Sequence, residues 1–143
     1  MAPDVISFHV EENVEHPFLQ NENSYVQWLT YVAKSEQKII SQLTYIFCSD
    51  DYLLDINIKY LGHDYYTDII TFPYKEGDEI ESDLYISLDR VKENADEYNV
   101  SFDNELKRVM VHGLLHLMGY ADKSEEEITQ MRQKEDYYIS TFV

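Results

Sequence analysis

The sequence predicts a single α+β domain spanning residues 1–143, and three observations carry that expectation. A chain of 143 residues buries about two thirds of its unfolded surface on folding, so neither a disulfide nor a structural metal is required to hold a core. Thirteen tyrosines and six phenylalanines, in a chain that is 44% hydrophobic, favour a sheet-containing fold over a helical bundle. Finally, period-two alternation and helical spacing take turns along the chain.

VISFHV (5 to 10) alternates Ile6, Phe8 and Val10 against Ser7 and His9, and reads as a first strand with one buried face. Tyr25, Trp28, Leu29 and Val32 follow helical spacing. LTYIFC (43 to 48) is a second strand. Ser49 or Asp50 caps a helix that carries Leu53, Leu54, Asn57 and Tyr60 inward and stops at Gly62. TDIITFPY (67 to 74) and SDLYISL (82 to 88) read as a hairpin, with a mobile acidic tip around Gly77-Asp78. Asp89 opens a helix with Val91, Ala95 and Tyr98 inward, and SFDNE (101 to 105) caps another that runs to about Met118. Ser124-Glu-Glu-Glu127 is a capping box for the last helix, its three glutamates suiting the positive end of the helix dipole. No repeat, low-complexity segment or linker interrupts this order.

Composition excludes some functions. Eleven Lys plus Arg against 28 Asp plus Glu give a net charge of −17, the opposite of a nucleic-acid-binding footprint, so any RNA function must overcome long-range repulsion. Cys48 is the only cysteine, which rules out an intramolecular disulfide and fits a reducing compartment. The N-terminus has no basic start and no long apolar core, and no window reaches the length of a membrane span. A cytoplasmic protein without membrane contact is expected.

The chemistry concentrates in VHGLLHLMGYAD (111 to 122). Leu106, Val109, Met110, Gly113, Leu114 and Leu117 form a broad core face. His112 and His116 lie beside it with Glu105 and Arg108, one helical turn apart. Both rings can reach one cation, although a pair at this spacing can equally border a core. The helix halts at Gly119-Tyr120, and Asp122 follows on the reversing chain. Two histidines and one carboxylate would leave a fourth position open, as catalytic zinc sites do. Gly113 after His112 breaks the H-E-x-x-H pattern of metalloproteases, so a zinc peptidase is disfavoured. Lacking a side chain, Gly113 suits close approach of a neighbour.

HGLLHLMGYAD, with the Glu-rich helix start and MRQKED after it, resembles the C-terminal signature of the YbeY family of bacterial rRNA maturation factors. NIKYLGHDYYTDIITFPY (57 to 74) and SDLYIS (82 to 87) are similar to two further family blocks, in family order. The resemblance implies a mixed four-stranded sheet packed by helices, with the His pair on a helix of the C-terminal half. It further implies a metal-dependent single-strand endoribonuclease in which His112, His116 and Asp122 hold one divalent ion per chain, zinc first, with manganese or magnesium as alternatives. The family usually carries a histidine where this chain has Asp122, a harder oxygen ligand.

It also places an arginine, thought to serve RNA cleavage or binding, where this chain has Leu61. His63 and Arg108 are the candidates to supply its proton or cation, and with His112 and His116 they make up the expected catalytic set. A surface-loop role is the plainer reading of His63, and a solvated helix face that of Arg108. Thr67 and Asp68 fall on a strand lining the family's cleft, where the Thr67 hydroxyl serves the backbone at least as readily as a substrate. The implied partners are ribosomal RNA and small-subunit ribosomal proteins or assembly factors, with no DNA. The alternative from another class is a non-catalytic assembly factor with a structural metal, docking on basic ribosomal proteins.

Overall fold

A computed structural model describes residues 5–11, 14–18 and 21–142. Residues 1–4 and 12–13, part of the N-terminal segment read for a targeting signal, lie outside the described residues. The alternation in the first strand is realised in β1 (Ile6–Val10), with Ile6 and Phe8 buried and His9 exposed. Helix α1 (Glu22–Ser35) buries Tyr25, Trp28, Leu29, Val32 and Ala33, then gives way to β2 (Ile39–Cys48), whose last six residues are buried on both faces.

The Ser49 side chain accepts the Tyr52 amide and caps α2 (Asp50–Ile56). A π-helical turn, Asn57–Leu61, follows and closes on Gly62 in the left-handed region (φ 69°). That extra residue per turn rotates the chain, so Ile56 and Asn57 are buried while Tyr60 is 70% exposed. The expectation of Tyr60 facing inward is therefore corrected. β3 (Ile69–Lys75) and β4 (Glu79–Ser87) form the antiparallel hairpin.

The sheet order is β1-β2-β4-β3, with β1 and β4 both parallel to β2 and only β3 antiparallel. This is the mixed four-stranded sheet that the sequence led one to expect. The hairpin tip is tied down, contrary to its reading as mobile. Gly77 N–H donates to the Leu117 carbonyl at 3.0 Å, Ile39 N–H donates to Asp78, and Lys38 pairs with the Asp78 carboxylate at 3.0 Å.

Three helices complete the chain: α3 (Leu88–Tyr98), α4 (Phe102–Leu117) and α5 (Glu125–Ser140). Ser87 rather than Asp89 caps α3, and Tyr98, on the Val91–Ala95 face but at the last residue of the helix, is exposed. The Ser124–Glu127 capping box forms as expected. Leu43, Tyr45, Phe47, Leu84 and Ile86 of the sheet meet Leu106, Met110, Leu114 and Leu117 of α4 in the main core. The opposite sheet face is partly covered by Leu53 and Ile56 of α2, which pack with Cys48 and Ile70. Among the described residues no helix is long and apolar enough to cross a membrane.

Candidate metal centre

Helix α4 cannot rotate freely on the sheet, because a Cβ on Gly113 would stand 2.7 Å from both Ile69 Cδ1 and Leu84 Cδ2. That close approach fixes the azimuth of the helix and leaves the half-buried His112 and His116 on its flank, toward α5. Past Leu117 the chain reverses at Gly119, whose φ of 108° belongs to the left-handed region. Gly119 N–H bonds to the His116 carbonyl at 3.0 Å and Tyr120 N–H to that of Leu115 at 3.1 Å. The reversal carries Asp122 back over the two rings.

Asp122 Oδ2 lies 3.4 Å from His112 Nε2 and 3.2 Å from His116 Nε2. Each of the three residues offers one donor atom within 4.8 Å of the others. Two ligands each about 2.0–2.1 Å from a tetrahedral zinc ion stand about 3.3–3.4 Å apart. The donor set thus has the spacing and the nitrogen and oxygen chemistry of a site for a divalent cation.

Behind the histidines lies a charged layer. His112 Nδ1–H donates to Glu135 Oε2 at 2.6 Å, which fixes the tautomer and turns Nε2 toward Asp122. Glu135, 1% exposed, is held in turn by Arg108 at 2.8 Å, and Arg108 also binds Asp136 at 2.6 Å. Burial opposes protonation of His112. The hydrogen bond and charge of Glu135, with the charges of Asp122 and Asp68, outweigh that burial and raise its pKa above the ordinary histidine value. A cleft of about 260 Å³ opens beside the group, and Asp68, Asn94, Glu105, Arg108, His112 and Arg132 are among its walls. Burial pushes the carboxyls of Asp68 and Glu105 above the usual carboxylate range. Glu105 is 4% exposed, and its Oε1 has no hydrogen-bond partner among the described residues.

The family model described as Endoribonuclease YbeY matches residues 11–143. The chain belongs to that family. A protein named Endoribonuclease YbeY from Flavobacterium psychrophilum is 50% identical over 138 residues, covering 96% of both chains. A protein of the same name from Cytophaga hutchinsonii is 54% identical over 114 residues, covering 79% of this chain and 80% of its own. The solution structure of TM1509 from Thermotoga maritima is 31% identical, covers 94% of this chain and 87% of its own, and superposes with a TM-score of 0.66.

Within this YbeY fold the expected site residues fare differently. His112, His116 and Asp122 converge. Arg108 comes to the cleft with its side chain 18% exposed and its guanidinium paired with Glu135 and Asp136, rather than lying on a solvated helix face. Arg132, whose side chain is 53% exposed and 3.6 Å from Glu135, is the more open cation in that wall. His63 sits outside the group, its ring stacked on Tyr65 and its Nδ1 2.9 Å from the Tyr65 hydroxyl. Leu61 ends the π-helical turn, 43% exposed. The Thr67 hydroxyl faces its own backbone, 3.5 Å from the Ile69 carbonyl. Glu135 escaped the sequence reading, yet Met131, Glu135 and Tyr138 share the buried stripe of α5. An acid at a core position of an otherwise apolar stripe was the signal.

Proposed function

We propose that residues 1–143 form one YbeY-like metal-dependent domain, a cytoplasmic single-strand endoribonuclease acting in ribosomal RNA maturation and ribosome assembly. The observation that carries this reading is the convergence of His112 Nε2, His116 Nε2 and Asp122 Oδ2 at ligand spacing in a chain of the Endoribonuclease YbeY family. These three residues would hold one divalent ion, zinc first among the choices because two of the three donors are imidazoles, with manganese or magnesium admitted by the oxygen. When bound, such an ion supplies Lewis acidity toward a phosphodiester oxygen and acidifies a water molecule.

The remaining work falls to the chain. Glu135 keeps the proton of His112 on Nδ1, so that Nε2 presents its lone pair. Arg108 neutralises Glu135 and anchors it. Arg132 offers a guanidinium at the cleft wall for a substrate phosphate, the role for which Arg108 is too heavily paired and from which His63 stands apart.

The test is incubation of metal-loaded protein with single-stranded rRNA fragments beside an identically prepared His112→Ala variant. Metal-dependent cleavage by the wild type alone supports the nuclease, and equal cleavage by both overturns it. A second reading, a non-catalytic assembly factor docking on basic ribosomal proteins, is favoured by the net charge of −17 and by Leu61. A guanidinium near a phosphate that develops charge is worth on the order of a hundredfold in rate. In a nuclease lacking that group, Leu61→Arg raises cleavage at least tenfold with unchanged metal content, and the gain disappears when His112→Ala is added. In a docking factor it changes cleavage little.

A further inference from the structure

Asp122 is the ligand with the least support from secondary structure. His112 and His116 ride on a helix locked to the sheet, whereas Asp122 lies in the segment between α4 and α5. One side of that segment is anchored by the α5 cap, where Glu127 Oε1 accepts the Lys123 amide at 3.2 Å and the Ser124 amide at 2.9 Å. The other side is anchored at a distance. The Tyr120 hydroxyl, two residues before Asp122, donates to Glu36 Oε1 at 2.6 Å, across 84 positions of sequence.

Glu36 is itself firmly placed. Its backbone closes the C-terminal turn of α1, and its other carboxylate oxygen accepts from Lys134 at 3.1 Å and from the Tyr138 hydroxyl. Lys134 also stands over the Tyr120 ring, 5.5 Å from its centroid. Three donors from two other segments therefore converge on one carboxylate.

We propose that Glu36 is a positioning residue for the metal centre, acting through Tyr120 to fix the turn that presents Asp122. This role rests on the reading of His112, His116 and Asp122 as ligands. The physical case concerns reach. An aspartate has one methylene between backbone and carboxylate, so the oxygen goes where the Cα goes, and the Tyr120–Glu36 bond is the side-chain link that ties this turn to α1, beside the backbone bonds that tie it to the end of α4. Groups outside the ligand set that orient a ligand typically change metal affinity by about tenfold or more. Sequence spacing gives no sign of this role, because Glu36 ends a helix remote in sequence from the histidines.

The test is a double-mutant cycle read as the zinc affinity of the otherwise intact protein. Glu36→Gln keeps the shape but turns one acceptor into a donor, and Tyr120→Phe removes only the hydroxyl that reaches the turn. Each should weaken zinc binding about tenfold, and neither should weaken it further once Asp122→Ala is present. Equal losses with and without Asp122 would overturn the proposal, as would unchanged affinity in Tyr120→Phe. If Asp122→Ala alone leaves affinity unaltered, the ligand assignment itself falls and this role with it. That outcome differs from the one in which Asp122 matters and Glu36 does not. Should Glu36→Gln fail to fold, Tyr120→Phe carries the cycle unaided.

Discussion

Asp122 would supply an oxygen at the position where the resemblance to the YbeY signature implies an imidazole, and the two donors bind zinc at similar distances but differ in softness. With its neighbours at 3.2 and 3.4 Å, Asp122→His should leave the fold intact and shift preference toward zinc over manganese, as competition titrations would record. An unchanged preference would exclude residue 122 from the ligands. The two arginines of the cleft separate structure from binding. Arg108→Ala leaves the buried Glu135 carboxylate with only His112 and the looser Arg132 and should cost about 3 kcal/mol of stability, a typical loss when one partner of a buried pair is removed. Arg132→Ala, on a half-exposed side chain, should leave the melting temperature nearly unchanged while weakening single-stranded RNA binding. Equal thermal losses in both variants would refute this division. The grouping of the His pair with Asp122 was legible because the one-turn spacing and the reversal at Gly119 fall within eleven consecutive residues and the family resemblance names the same three positions. Glu135 was not, since its meaning depends on how α5 docks against α4, and that docking leaves only a weak trace in local sequence.

At the level of elements, the order of strands and helices could be read because each carries its own periodicity and most carry a cap. Ser49, Ser101 and Ser124 each accept the amide three residues on, as their position before an apolar run foretells. Where the reading slipped, a tertiary constraint had overridden a local pattern. The insertion that makes Asn57–Leu61 a π-helical turn moved Tyr60 to the surface, and the backbone bond from Gly77 to the end of α4 pinned a tip whose acidity suggested freedom. Gly113 is the converse case, since its small size was visible in the sequence while its neighbour was not. With Ile69 and Leu84 already within 2.7 Å of a notional Cβ, Gly113→Val should overpack the interface between α4 and the β3–β4 hairpin and cost about 1–3 kcal/mol. Because the same contact sets the azimuth of α4, zinc affinity should fall in parallel. Chemical denaturation and metal titration of one preparation test both, and a stable variant with unaltered affinity would show that the sheet does not fix the histidines.

For the whole molecule the governing quantity is charge. With 28 acids against 11 bases, the long-range field opposes an RNA backbone, and among the described residues the cleft wall offers as arginines only Arg108, already doubly paired, and Arg132, loosely paired to Glu135. Affinity gained through phosphate contacts falls with salt in proportion to the number of counterions released, with a logarithmic slope of about −0.7 per contact on single strands. A domain that presents one or two open guanidinium groups should therefore bind single-stranded RNA weakly, with a slope between about −1 and −2. Arg132→Ala should make that slope shallower by nearly one contact. Titrations of a catalytically silent variant at several salt concentrations measure this directly. A slope several times steeper would reveal a cationic surface that the fold does not assemble from its described residues. A shallow slope would instead mean that what brings this domain to RNA is a partner, for which an acidic surface is well suited to a basic ribosomal protein.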